Sequence, residues 1–156
     1  RPEARFLAPC TNEARAAEVR AAFSGLPVEI VVRPAREVFL QSRCCLVASG
    51  TATLEAALFE TPLVILYRVN RLSYWLARLL VRIRFIGIVN ILVGSEIVPE
   101  FIQYEATSQK ITPVLLELLE DSPLRSQMLA NFCMLKRHLG GDGASDRAAD
   151  EILTLL

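Results

Sequence analysis

Histidine is nearly absent from this sequence: His138 stands alone among 156 residues. One imidazole cannot build a histidine-rich metal site, and no Ser-His-Asp set assembles around it, so metal-centred and triad chemistry are disfavoured. A cationic cap in the last turn of a helix, beside Gly140-Gly141, is its expected role. Net charge is missing too, with 17 Lys and Arg against 17 Asp and Glu and a pI near 6.8. That balance excludes the broad basic footprint that grips nucleic acid. The four cysteines (Cys10, Cys44, Cys45, Cys133) lack any C-x-x-C spacing, which argues against a zinc site or disulfide framework. Reduced thiols in a cytosolic protein are the simpler reading. No apolar run reaches about 18 residues, because Arg78, Arg82 and Arg84 interrupt the most hydrophobic stretch, so no spanning helix is expected. The start shows no secretory leader pattern, and its abrupt opening on Arg1-Pro2-Glu3-Ala4-Arg5 is the expectation for a piece of something longer. Internal repeats and low-complexity segments are missing as well.

What is present is apolar: 53% of the residues, too hydrophobic and too evenly charged for a disordered chain, in a length that suits one compact domain. Up to about residue 67, short apolar runs alternate with helical repeats. Strands are expected over Phe6–Pro9, Val28–Val32, Cys44–Ala48 and Leu63–Tyr67. Between them, helices are expected after Thr11-Asn12-Glu13, over Arg36–Ser42, and over Ala52–Glu60. The runs Cys44–Ala48 and Leu63–Tyr67 are continuous rather than alternating, as in strands buried on both faces. This order predicts an α/β, Rossmann-like open parallel sheet with helices on both faces. Helical tail segments follow at Thr107–Glu120, Pro123–Leu139 and Ser145–Leu156, with Ser122 before Pro123 suiting an N-cap. The expected division is 1–106 as a partial nucleotide-sugar domain. Residues 107–156 are helices packing on it, in the same domain or returning to one outside this sequence.

The chemistry falls on Leu46–Pro62. In an open parallel sheet, ligands bind outside the carboxyl ends of the strands, where strand turns into helix. Ser49-Gly50-Thr51 is a small hydroxylated turn at such a point, and Gly50 lets backbone approach an anion closely. The first N–H groups of the following helix supply donors and the positive end of its dipole. Ser49, Thr51 and Thr53 add hydroxyls, while Glu55, about one turn inside, suits a ribose diol. The plainer reading, a well-capped helix whose Glu55 complements the dipole, fits the spacing equally. The turn has no lysine, so it is not a P-loop, and it is not G-x-S-x-G.

Val47-Ala48-Ser49-Gly50-Thr51-Ala52-Thr53-Leu54-Glu55-Ala56-Ala57-Leu58, followed by Pro62-Leu63-Val64 and Tyr67-Arg68, closely resembles the lipid-A-disaccharide synthase family. The resemblance continues through Tyr74-Trp75-Leu76-Ala77, Asn90-Ile91-Leu92-Val93-Gly94 and Glu96–Gln103, running from about Arg36 to Thr107 and more loosely beyond. It implies the C-terminal part of a GT-B-type glycosyltransferase, in which two Rossmann-like domains face each other across a cleft. Such an enzyme joins UDP-2,3-diacylglucosamine to 2,3-diacylglucosamine 1-phosphate by a β-1,6 linkage with inversion. UDP is released, with no metal and no cofactor. Carried over by position, Ser49, Gly50, Thr51, Thr53 and Glu55 face the phosphates and ribose. Asn90 matches an asparagine the family needs for activity, and Glu96 follows at the family's spacing. The Pro34–Val38 loop, with Val38, lies near the uracil through backbone groups. Val89 stands where relatives often have proline, and Ser95 where many have arginine. The match begins at what resembles the second strand of the family's C-terminal domain, without the domain that carries the general base. The isolated chain is therefore expected to be inactive and to expose sheet edges.

Arg68–Gly94 holds five arginines, and no acidic residue falls between Glu60 and Glu96. On a helix, Arg71, Arg78 and Arg82 share a side and Trp75 joins an apolar remainder. This is the pattern of a segment lying on an anionic membrane, or of a sheet-covering helix with solvated arginines. With the resemblance, it implies a cytoplasmic protein peripheral on the inner face of the bacterial inner membrane, with a homodimer left open. Glu100 and Glu105 read as cleft groups or as exposed helix charges. Cys44-Cys45 reads as inert packing. The rival functions are another UDP-N-acetylglucosamine-type transferase, such as the peptidoglycan one, and a non-catalytic remnant that binds membrane or a partner.

Overall fold

A computed structural model describes residues 3–70, 84–140 and 143–154. Arg71, Trp75, Arg78 and Arg82 lie outside the described residues.

Strands and helices alternate through the first half. β1 (Phe6–Cys10) leads into α1 (Glu13–Ala22), whose N-cap Asn12 accepts from the Arg15 N–H through its side chain at 2.9 Å. β2 (Val28–Val32) then pairs with β1 in parallel, Phe6 opposite Val28 and Cys10 opposite Val32. α2 (Ala35–Gln41) carries the chain to β3 (Cys45–Ala48), α3 (Thr51–Leu58) and β4 (Leu63–Tyr67). After the segment outside the described residues come α4 (Ile88–Val93), β5 (Glu100–Ile102) and a 3-10 turn (Gln103–Glu105). Strands β3, β4 and β5 form a second parallel sheet in that order, Leu46 opposite Val64 and Leu66 opposite Phe101. Three helices complete the chain: α5 (Ser108–Leu119), α6 (Pro123–His138) and α7 (Ala144–Leu153).

The core sits on β4. Leu63, Val64 and Ile65 are fully buried, as a continuous apolar strand must be when both faces are covered. α3 packs on β3 and β4, α5 packs on β4, and α6 packs against α3 and α5. Met128 and Phe132 of α6 reach the cluster, and the Met128 sulfur accepts from the Leu63 N–H at 3.4 Å. Ser122 caps α6 by accepting from the Arg125 N–H, with Pro123 in the first turn. α2 packs on both β1 and α3, bridging the two sheets. The α/β class and the parallel pairing follow the sequence reading.

Three local features differ from it. Residues 34–38 are not a loop: α2 begins at Ala35, with Pro34 as its N-cap. Glu100 is no helix charge, because it opens β5. The short helix α4 carries the Asn90 motif and was not visible in the periodicity. No helix among the described residues is long and apolar enough to cross a membrane.

Candidate functional site

The site is the turn where β3 passes into α3. The Ser49 N–H still bonds the Leu66 carbonyl at 3.2 Å, so the chain leaves the sheet only after it. Gly50 then takes φ +153°, a backbone region closed to residues with a Cβ. A Cβ there would meet nothing within 4 Å. Conformation, not crowding, therefore requires the glycine, and the outer side of the turn is open. Beneath it, the Thr53 N–H and hydroxyl both donate to the Gly50 carbonyl, at 3.2 and 2.7 Å. Thr53 is fully buried, so its hydroxyl closes the turn from below. Thr51 is exposed at the mouth. With the Thr53 N–H taken by Gly50, the Thr51 and Ala52 N–H groups at the start of α3 face the positive end of the helix dipole. Glu55 lies four residues after Thr51, on the same exposed helix face, and forms no ion pair among the described residues.

A second layer holds the turn from the side. The Ser49 hydroxyl donates to the Ile86 carbonyl at 3.0 Å. The Ile86 N–H donates to Glu100 Oε2 at 2.8 Å, and the Gly87 N–H to Glu100 Oε1 at 2.9 Å. Asn90 Nδ2 also donates to Glu100 Oε1, and to the Val98 carbonyl, both at 2.8 Å. Its Oδ1 accepts from the Ile97 and Val98 N–H groups at 2.9 and 3.0 Å. Asn90 is fully buried and its hydrogen-bonding capacity is spent within the protein. Gly87 has no room for a side chain: a Cβ would run into Ile65 Cδ1 and stand 3.0 Å from Glu100 Oε1. Chemically, the arrangement is an open set of amide donors with a hydroxyl and a nearby carboxylate, suited to an anion joined to a diol.

Residues 5–143 match the lipid-A-disaccharide synthetase family. The chain belongs to the lipid-A-disaccharide synthase family. Among curated relatives of that name, the protein of Pseudomonas putida GB-1 is 38% identical over 157 residues, covering 99% of this chain and 41% of the relative. That of Myxococcus xanthus DK1622 is 35% identical over 158 residues, covering 100% and 41%. That of Saccharophagus degradans is 36% identical over 159 residues, again covering 100% and 41%. The chain thus spans about two-fifths of the length of these lipid-A-disaccharide synthases, a family of glycosyltransferases.

The remaining expected residues fall in different places. Val38 is inside α2 with its side chain buried, and its carbonyl accepts from the Ser42 hydroxyl at 2.7 Å. Glu96 is exposed and lines a shallow cavity of about 180 Å³ against α6, with Ile97, Leu124 and Gln127. The structure does not bring it to the turn's hydrogen-bond network. Glu105 is an exposed partner of Lys110. His138 ends α6 beside Lys136 and Arg137, in its last turn. All four cysteines are free thiols. Burial pushes the Cys45 thiol up to about 12, aided by Cys44. Burial also raises Cys44, against the pull of Arg125 and Arg43. Both are poor nucleophiles, since the thiolate is the reactive form.

Sequence reading missed Ile86, Gly87 and the placement of Glu100. A signal existed for Gly87, an isolated glycine among isoleucines and phenylalanine, because such a glycine marks close backbone approach.

Proposed function

We propose that the Ser49–Glu55 turn holds the nucleotide of a UDP-sugar donor. In this reading the chain is the donor-binding part of an enzyme that transfers 2,3-diacylglucosamine from UDP to 2,3-diacylglucosamine 1-phosphate. The observation that carries it is the Gly50 backbone, held at φ +153° with its outer side open, directly before the amide donors of α3. The diphosphate lies against those amides and the exposed Thr51 hydroxyl. Glu55, one helical turn further, accepts from the ribose hydroxyls. As the glycosidic bond to the diphosphate breaks, negative charge grows on the departing oxygen. Fixed amide dipoles stabilise it without reorganising, which suits a transfer that uses no metal. Asn90 and Thr53 support this surface from inside. No general base is assigned to this chain.

Calorimetric titration with UDP tests the reading. Saturable binding is expected, weakened about tenfold in Glu55→Ala, in line with the loss of a hydrogen bond to a charged group. No saturable binding, or no effect of the substitution, overturns it. The same preparation should form no disaccharide from the two sugar substrates, and product would overturn that part.

The proposal extends to an anionic membrane surface on the cytoplasmic side of the inner membrane, which suits acylated substrates. It rests on the sequence of residues 71–83, where Arg71, Arg78 and Arg82 accompany Trp75. Flotation with anionic vesicles should capture the chain and release it when the three arginines become glutamine. Capture that ignores the arginines overturns this extension.

A further inference from the structure

We infer that Glu100 is a positioning residue for the nucleotide turn, acting through the Ile86 peptide on Ser49. This rests on the reading of Ser49–Glu55 as the nucleotide site.

The route is short and continuous. The Glu100 carboxylate opens β5, whose register opposite Ile65 fixes it to the central strand of its sheet. Its two oxygens take three donors: Ile86 N–H, Gly87 N–H and Asn90 Nδ2. No cation pairs with it among the described residues. A half-buried carboxylate held only by amides is a strong, directional anchor, because charge-assisted hydrogen bonds exceed neutral ones. What it anchors is the two consecutive peptide units flanking Ile86, the second of which carries both the Gly87 N–H and the Ile86 carbonyl. The Ile86 N–H faces Glu100, and the Ile86 carbonyl receives the Ser49 hydroxyl. Gly87 supports this geometry, since any side chain there would collide with Ile65 and press on the carboxylate. Ser49 is the last residue held by the sheet before Gly50, so its orientation sets where the open face of the turn points.

Glu100→Gln separates the arms of the anchor. One amide oxygen can still serve Gly87 and Asn90, but the new NH2 then faces the Ile86 N–H, donor against donor. Two measurements decide the matter, one of them free of nucleotide. In amide hydrogen exchange on the 156-residue chain, Glu100→Gln should speed exchange at Ile86 and Ser49 about tenfold, with α5 and α6 unchanged. Ser49→Ala should speed exchange at Ile86 from the other side, which keeps the test open if Glu100→Gln does not fold. Unchanged exchange at Ile86 in Ser49→Ala overturns the inference. In UDP titration, Glu100→Gln should weaken binding about tenfold, while Glu105→Gln, an exposed control, leaves it as it was. The double variant Ser49→Ala with Glu100→Gln should be no weaker than the worse single variant, since both break one route. Additive losses, or a wild type that binds UDP with Glu100→Gln unaffected, overturn the inference and leave the Glu55 reading standing. A wild type that binds no UDP sinks the nucleotide reading instead, and hydrogen exchange alone then decides the role of Glu100.

Discussion

Asn90 has no valence to spare. Its amide joins the Ile97 and Val98 N–H groups, the Val98 carbonyl and Glu100, all from a fully buried position on a six-residue helix. Replacing it with alanine strands the buried Val98 N–H and carbonyl, leaves the Ile97 N–H only the Ser95 carbonyl at 3.1 Å, and removes a donor from a carboxylate. Asn90→Ala should cost about 2–4 kcal/mol in urea unfolding, the range for breaking a buried polar network. Asn90→Asp should cost more, because one of its oxygens must face the Val98 carbonyl or the Glu100 carboxylate. A loss under about 1 kcal/mol for Asn90→Ala would show that the network carries little stability. Lost turnover on substituting Asn90 therefore does not by itself put that side chain on the substrate. The stability measurement separates the two roles, as a group that only contacts ligand leaves unfolding unchanged.

Elements long enough to show their period are legible to within one to three residues, the last helix being expected over Ser145–Leu156 and found over Ala144–Leu153. β4 was read to the residue because its apolar run starts straight after Pro62 and is buried on both faces. α6 was read from Ser122-Pro123, a cap that works locally and needs no tertiary partner. The Ser49–Thr53 turn was legible for the same reason: Gly50 and Thr53 make it from contacts three residues apart. The clamp was not. Ser49 meets Ile86 across 37 residues and Ile86 meets Glu100 across 14, so no short-range pattern announces either contact. α4, with six residues, and β5, with three, are too short to register a repeat. Their positions come from tertiary contacts, β5 paired with β4 and α4 packed on α3. For Glu100 the sequence leaves a cleft group and an exposed helix charge equally open, because nothing local to it marks a three-residue strand. Val38 is expected in a loop only through the family resemblance, whereas the periodicity already puts it in a helix over Arg36–Ser42, as observed. Pro34 starts that helix, its fixed φ of −55° suiting the N-cap.

Across the whole chain, stability is unevenly shared between the two sheets. Every residue of the main apolar cluster lies at Ala35 or beyond, from Phe39 through β4 to Leu135 on α6. The β1–α1–β2 unit buries only Cys10 and Ala16 among its apolar side chains, while Phe6 is 55% and Val32 39% exposed. Its ion pairs, Arg5–Glu29, Arg15–Glu18 and Arg20–Glu13, are all solvent-exposed and add little. Within each sheet the strands follow chain order, β1 beside β2 in one and β3, β4, β5 in the other. Open α/β sheets place their ligands outside the carboxyl ends of the strands, and the Gly50 turn leaves the carboxyl end of β3. A nucleotide bound there, as proposed, would be held by the better-packed sheet. Native-state hydrogen exchange should resolve this difference. The ladder amides of β1 and β2 should open with a free energy at least about 2 kcal/mol below those of Val64 and Ile65, because sub-global openings follow buried apolar contact. Weak denaturant should lower the opening free energy of the β1–α1–β2 unit first, with the β3–β4–β5 amides still protected. Equal opening free energies in the two sheets would mean that α2, packed on β1 and α3, couples them into one cooperative unit. The turn would then share its stability with the whole molecule, and substitutions at Phe6 or Val32 would weaken nucleotide binding as much as they weaken the fold.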